Sequence, residues 1–524
     1  MRFSAIKAFG CRINDKGRLV AALVVLLIGL CLGLGGINQR PAFVHAWAQA
    51  DRYALALGFV DNGHDLLHPQ TAVRNKQFPG TWMIDYGNTV TAVDLPLHEY
   101  VVSLLMSLFG TTAPWVFRLL TLLVSMVGMW LLCLLAWRLT GDAAKSLLVV
   151  VVGMTSPLYA YYFANYLPSA PALAMAMGGL CAYAAYRDNG RLACWNAAVL
   201  LVALASMVRT SQAVLLVAMC LFEGARVVRR ESTLRGRWPV VVVAAVAMIV
   251  CSLWNMHLRS RYGSLFLNYL TPPRSLGDVA GVLRYVRVHW IFDYFSLVQY
   301  WIMAAALVGA VVAWFARRKR GVGVRLSLWW LAAVWWLGEL CFFVAMMMQY
   351  RNHDYYFLDS FFLPALFVFS LALKALPSPR LRLWPAVSLA LVAALAVPMI
   401  VGCQRSLHLR CWDGDRAYVT AQRFEGSAQW LDEVGVPRDA TILAFMAYPQ
   451  NGPLVQMGRQ GYSVFEYDDN ILNAVMQFPF DYVVMEDAAY AEAVGLRPDL
   501  ARCMVRLAGN GSISLYDYNP QDKD

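Results

Sequence analysis

The run HAWAQADRYALALGF, residues 45–59, gathers an imidazole (His45), an indole (Trp47), an amide (Gln49), a carboxylate (Asp51) and a guanidinium (Arg52) in one short stretch. A positioned carboxylate can take the proton of an attacking hydroxyl, an effect typically worth roughly 10²–10⁴-fold in rate. A guanidinium presents a forked pair of donors that fits a phosphate. Asp94, Glu99, Arg118 and Arg209 follow, and the run RNHDYYFLD at 351–359 adds Arg351, His353, Tyr355 and Tyr356. Each residue taken singly reads as a snorkelling or ion-paired structural group. Taken together, acids, arginines and tyrosines at one end of several apolar segments suit acid–base work beside an anionic lipid head group.

The chain that must position them is a membrane protein. Of its 524 residues 59% are hydrophobic and only 15% charged, against about 25% charged in soluble domains. Apolar runs near 20 residues recur, enough to cross a hydrocarbon core of about 30 Å. The expected fold is an all-α polytopic bundle with spans near 19–37, 115–136, 146–164, 169–186, 192–208, 211–225, 238–254, 297–316, 326–348, 357–375 and 384–402. Arg2, Lys7, Arg12, Lys16 and Arg18 precede the first span, and no small-residue cleavage site follows it, so it reads as a retained anchor with residues 1–18 in the cytoplasm.

Basic residues then fall in alternate connections, among them Arg138 and Lys145, Arg226 to Arg237, Arg317 to Arg325, and Lys374, Arg380 and Arg382. This bias orients the bundle in its membrane with the chemistry-bearing loops outside. The net charge of +11 is spread over these short clusters, which excludes a nucleic-acid groove.

Within the membrane domain, 19–402, the first outer loop spans 38–114 and carries two stretches suited to interfacial helices: residues 45–59 and HEYVVSLLMSLFG. A second outer loop, near 255–296, holds Arg259, Arg261, Arg274, Arg284 and Arg287. From 403 to 524 the composition is that of a soluble domain. There TILAFMA, YSVFEY, DYVVME and SISLYDY read as strands, with DDNILNAVMQ and AAYAEAVGL as helices, which predicts a small extracytoplasmic α/β domain. Cys403, Cys411 and Cys503 lie in that last region, where one disulfide is allowed. No phosphate-binding glycine loop, HExxH or CxxC pair occurs, so nothing marks a nucleotide-driven pump. An outward-facing enzyme has no cytoplasmic nucleotide, so its activated substrate should arrive attached to lipid.

WAQADRYALALGF, then LLHPQ, DLPLHEYVVSLLMSLFG and FRLLTLL, with YAYYFANYLPSAP, LASMVRTSQAVLL and HDYYFLDSFFLP farther on, resemble in order and distance the GT-C integral-membrane glycosyltransferases of the bacterial family 39 branch. That branch is similar to protein O-mannosyltransferases and the lipid A aminoarabinose transferase. The resemblance covers about residues 19–400. It implies an inverting transfer of a sugar from a polyprenyl-phosphate donor to a glycan, lipid or protein acceptor on the outer face. It also implies Asp51 as catalytic base, with Asp94 as a second acid near the donor or a divalent metal. Arg209 then stands near the lipid phosphate, with Tyr355 and Tyr356 in the HxYY-like segment. Arg52, Arg118, Arg351 and His353 are grouped with the donor phosphate, and His45, Trp47, Gln49 and Glu99 with the acceptor. One departure stands out. Relatives carry an adjacent Asp-Glu pair, and alignment on Arg52-Tyr53 puts Gln49 at the usual base. A flippase or transporter of a lipid-linked saccharide is the alternative, though no internal repeat of the transporter kind is visible. A ligase or polymerase of lipid-linked glycans shares the same donor and compartment.

Overall fold

A computed structural model describes residues 15–78, 83–267, 269–318, 328–378, 383–466 and 468–519. Arg2, Lys7, Arg12, Lys319, Arg320, Arg325, Arg380 and Arg382 lie outside the described residues. The chain forms two compact units: one of residues 1–37, 118–251 and 269–409, the other of 38–117, 252–268 and 410–524.

The first unit is helical. Among the described residues, seven helices are long and apolar enough to cross a membrane: Lys16–Gly33, Pro114–Thr140, Thr210–Val228, Trp238–Tyr262, Leu297–Ala316, Leu328–Ala345 and Pro385–Arg410. They answer to seven of the eleven expected spans; the other four take different forms. The 146–164 span breaks into Ala143–Met154 and Pro157–Tyr162, because Ser156 caps the second piece through Tyr159 N at 3.2 Å and Pro157 opens it. The 357–375 span is likewise split, into Tyr355–Asp359 and Phe362–Ala375. Leu192–Val208 is shorter than a full span, and Ser169–Asn189 is built from small residues. These two form a hairpin in which Gly179 leaves room for Val202. Helices buried against protein need neither full bilayer length nor an apolar girdle. Trp238–Tyr262 shows the contrast, exposing Val242, Val243, Val246, Ile249, Val250 and Leu253 as a lipid-facing stem would. The glycines of the first span pack closely: a side chain on Gly29 would strike Met126, and one on Gly33 would strike Leu122.

The second unit joins residues 38–117 and 252–268 to the tail. Its five-stranded sheet has the order β2-β1-β3-β5-β4, with β1 Thr441–Phe445, β2 Gln460–Val464, β3 Tyr482–Glu486, β4 Met504–Gly509 and β5 Ile513–Tyr518. β1 pairs in parallel with β2 and β3, the crossovers running through helices, while β5 is antiparallel to β3 and β4. One strand, β4, was not read from the sequence.

The β2 edge is not open. Residues 72–74 lie along it, with Gly461 N donating to Ala72 O at 2.9 Å and Arg74 N donating to Gly461 O at 2.8 Å. The Asn75 side chain continues the ladder, giving Nδ2 to Ser463 O and accepting from Ser463 N, both at 3.0 Å. Gly461 is required there, since a side chain would collide with the Ile442 carbonyl on β1. The helix Ala46–Asp61 completes the junction: Trp47 sits edge-on to Phe465 and Tyr448 at 4.5 and 5.6 Å, and Phe43 stacks on Tyr418 at 5.0 Å.

Asn75 is fully buried, so Asn75→Ala strands both backbone groups of Ser463. The expected cost is roughly 2–4 kcal/mol. It should appear as a lower thermal midpoint for the full-length protein, with earlier proteolysis of the tail; an unchanged midpoint would show that the edge pairing contributes little.

Candidate active site

The helix Ala46–Asp61 begins abruptly. His45, with φ 57°, is left-handed, and Gln49 Nε2 donates back to Val44 O at 2.8 Å. Gln49 is therefore occupied in fixing the turn that enters the helix. Asp51 is 2% exposed and accepts a hydrogen bond from Asn451 Nδ2 at 2.8 Å. Asn451 Oδ1 in turn accepts from Ala72 N at 3.1 Å, so the amide is held in one orientation and aims its NH₂ at the carboxylate. Burial raises the Asp51 carboxyl from its usual 3.8 to about 7, opposed by the Asn451 hydrogen bond and the charge of Arg52. A carboxyl poised near neutrality suits a general base.

Arg52 turns to other partners. Its Nη1 donates to Glu99 Oε1 at 3.1 Å, in a pair 4% and 0% exposed, and the guanidinium lies 4.4 Å from the centroid of Phe266. Glu99 Oε2 has no hydrogen-bond partner among the described residues. His98 is buried edge-on to Phe117 at 5.2 Å, and burial first, then the Arg52 charge, lowers its pKa to about 3, so it stays neutral. Asp94 is half-buried just before the helix Leu97–Phe109. Trp47, grouped with the acceptor in the sequence, is committed to Tyr448 and Phe465 of the tail.

Lys76 escaped the sequence reading. It is fully buried, donates Nζ to Asn88 O at 2.8 Å and lies over Tyr86 at 4.9 Å. Burial lowers its pKa to about 7 against the pull of Asp85. A lone lysine in a polar loop carries no sequence signal of burial.

In the membrane unit, three of the quoted segments converge. Arg209 donates Nη2 to Asp359 Oδ2 at 3.1 Å and to Ser169 Oγ at 2.8 Å, with Tyr355 at 5.3 Å from its guanidinium. Tyr355 stacks on Tyr356 at 5.3 Å and meets His353 at 5.4 Å. Tyr162 packs edge-on to Tyr355 at 6.1 Å and donates to Asp354 Oδ1 at 2.7 Å. Arg118 lies over Tyr166 at 5.7 Å. Arg351 is set apart, exposed over Tyr285 at 5.7 Å. Asp359 and Ser169, which orient Arg209, were not singled out as site residues although both lie in quoted segments. Among the described residues no three His, Cys, Asp or Glu side chains gather to hold a metal ion, and Asp94 alone does not make such a site.

Residues 93–257 match the family model described as dolichyl-phosphate-mannose-protein mannosyltransferase. Among solved structures, ArnT from Cupriavidus metallidurans in the apo state superposes with a TM-score of 0.61 at 14% identity, over 94% of this chain and 97% of that one. The chain shares the fold of that ArnT structure. A second structure, ArnT from the same organism bound to undecaprenyl phosphate, gives a TM-score of 0.60 at 14% identity, over 96% of this chain and 98% of that one. No curated protein is significantly similar to the chain.

The Asp51 environment predicts a pH signature. The raised carboxyl binds its proton more tightly in the folded state, so it costs nothing below about pH 4. The cost grows as pH rises towards about 7 and then levels off. Asp51→Asn should therefore gain in thermal midpoint relative to wild type between about pH 5 and about pH 8. A constant difference across that range would mean that Asp51 is not buried as a titrating acid.

Proposed function

We propose that the protein is an inverting glycosyltransferase that moves a sugar from a polyprenyl-phosphate donor to an acceptor hydroxyl on the outer face of the cytoplasmic membrane. Asp51 is the base. The observation that carries the reading is a buried carboxyl raised to about 7 and oriented by Asn451, in a chain with the GT-C fold. The similarity to an ArnT structure bound to undecaprenyl phosphate supports a polyprenyl-phosphate donor.

The chemistry follows from the donor. Its phosphate is already a competent leaving group, so the acceptor oxygen attacks the anomeric carbon from the opposite side and the sugar–phosphate bond breaks. The acceptor proton passes to Asp51, and the polyprenyl phosphate departs with the bonding electrons, inverting the anomeric centre. Arg209, oriented by Asp359 and Ser169, and the tyrosines Tyr355 and Tyr356 are assigned to the donor phosphate. Arg52 has a different task in this scheme. Paired with Glu99, it supplies a fixed positive charge beside Asp51 that keeps the base from rising further.

Purified protein with a pool of polyprenyl-phosphate sugars and extracted envelope acceptors should release free polyprenyl phosphate, followed by mass spectrometry. Asp51→Asn should lower that release by roughly 10²–10⁴-fold. Asp94→Asn should leave most of it. Loss in Asp94→Asn with Asp51→Asn still active would move the base to Asp94. No release from wild type, with lipid-linked sugar moving across liposomes, would replace transfer with transport.

A further inference from the structure

The helix that carries Asp51 also walls a cavity. Ala54, Leu57, Gly58 and Asp61 line one side of a space of about 700 Å³, within the size range of small-molecule sites. Asp51, Ala54, Gly58 and Asp61 recur on one face at helical spacing, so the cavity starts about one turn from the proposed base. The opposite wall comes from the helix Gly452–Met457, through Leu454 and Val455. Asn451, the partner of Asp51, immediately precedes that helix.

Thr71, Arg74, Arg438, Asp439 and Gln460 also line it. Arg459 stiffens the wall and is not a ligand group: its Nη2 is held by Asp432 at 2.8 Å and Val436 O at 2.7 Å. Carboxylates from Asp61 and Asp439 thus stand with guanidinium and amide donors from Arg74 and Gln460, while Arg438, like Arg459, is paired with Asp432. A sugar hydroxyl both donates and accepts, and such a mixture satisfies both roles. A lipid chain would face charge on several sides. An extended peptide would seek the β2 edge, which residues 72–75 already fill.

We infer that this cavity is the acceptor subsite and that it binds a saccharide; the assignment as acceptor rests on the transferase reading. The acceptor glycan lies along the Ala54, Gly58, Asp61 face and delivers its hydroxyl towards Asp51.

The test uses full-length protein in nanodiscs without donor. The probes are a neutral hexose oligosaccharide and one containing uronic acid, each labelled at the reducing end and titrated by fluorescence anisotropy. At least one should bind, and Asp61→Asn should weaken it about tenfold, the loss of one charged hydrogen-bond partner. Val455→Trp, which fills the space, should abolish binding. Asp61 is exposed, so its variant keeps the test open where the tryptophan disturbs folding. Equal binding by wild type and Asp61→Asn, binding of neither saccharide, or cavity-dependent binding of a Ser/Thr-rich peptide instead would each overturn the inference. Donor turnover separates the two readings. If wild type releases polyprenyl phosphate but acceptor KM is unchanged in Asp61→Asn, the subsite falls and the transferase stands. If saccharide binding depends on Asp61 but no release occurs with any donor, the subsite stands and the transferase falls.

Discussion

A carboxyl group withdrawn from water must be answered by a donor, and at Asp51 that donor is the Asn451 amide, 400 residues away in the chain. Much of the second unit can be understood as the scaffold for this contact. Asn451 reaches Asp51 only if the helix Gly452–Met457 is packed in place. That helix is carried by the crossover between β1 and β2, and β2 is fixed in register by residues 72–75, which pair with it. The same Asn451 accepts from Ala72, so the loop that clamps the sheet edge also orients the amide. A tail joined to residues 46–75 through ladder hydrogen bonds and buried aromatics is a structural part of that segment.

The charges of both units obey one rule: an ionisable group out of water is held by a partner or a ring face. Arg52 has Glu99 and Phe266; Arg209 has Asp359, Ser169 and Tyr355; Arg118 has Tyr166. Removing one partner of such a pair leaves the other charge buried, which costs more than the pair contributes. The consequence is rigidity. Arg209 is held from two sides, by the Asp359 carboxylate and the Ser169 hydroxyl, so its guanidinium orientation is fixed, as the phosphate role proposed for it requires.

What the sequence made legible follows the same physics. Lipid-facing helices are legible because every turn is apolar, as in Trp238–Tyr262. The helix at 46–61 is legible from the spacing of Trp47, Ala50, Ala54 and Leu57. Helices buried in protein are read too long, because nothing in an apolar run marks where protein replaces lipid; the break at Thr155 and Ser156 had only its Ser-Pro step to announce it. β4 escaped because most of its residues are exposed and it ends in Ala-Gly, so no buried alternation appears. Asp51 and Arg209 were legible as ionisable groups in apolar surroundings. Their partners were less so: Asn451 is an ordinary turn residue by sequence, and the function of Asp359 depends on an arginine 150 positions earlier, which only the fold supplies.

The departure at Gln49 has a geometric consequence. Successive helical residues are about 100° apart, so positions 49 and 51 point about 160° away from each other. Gln49 is fixed to the Val44 carbonyl and Asp51 to Asn451, so the two side chains do opposite-facing work: one closes the helix entrance, the other faces the tail. Moving an acid by two positions along a helix is therefore not a small adjustment. It transfers the acid to the other face, the side of Ala54, Gly58 and Asp61, from which the proposed acceptor would approach. In this chain that side is walled by the tail. Position of the acid and presence of the tail are then coupled: an acid on the tail-facing side of the helix is buried against the tail and oriented by its Asn451.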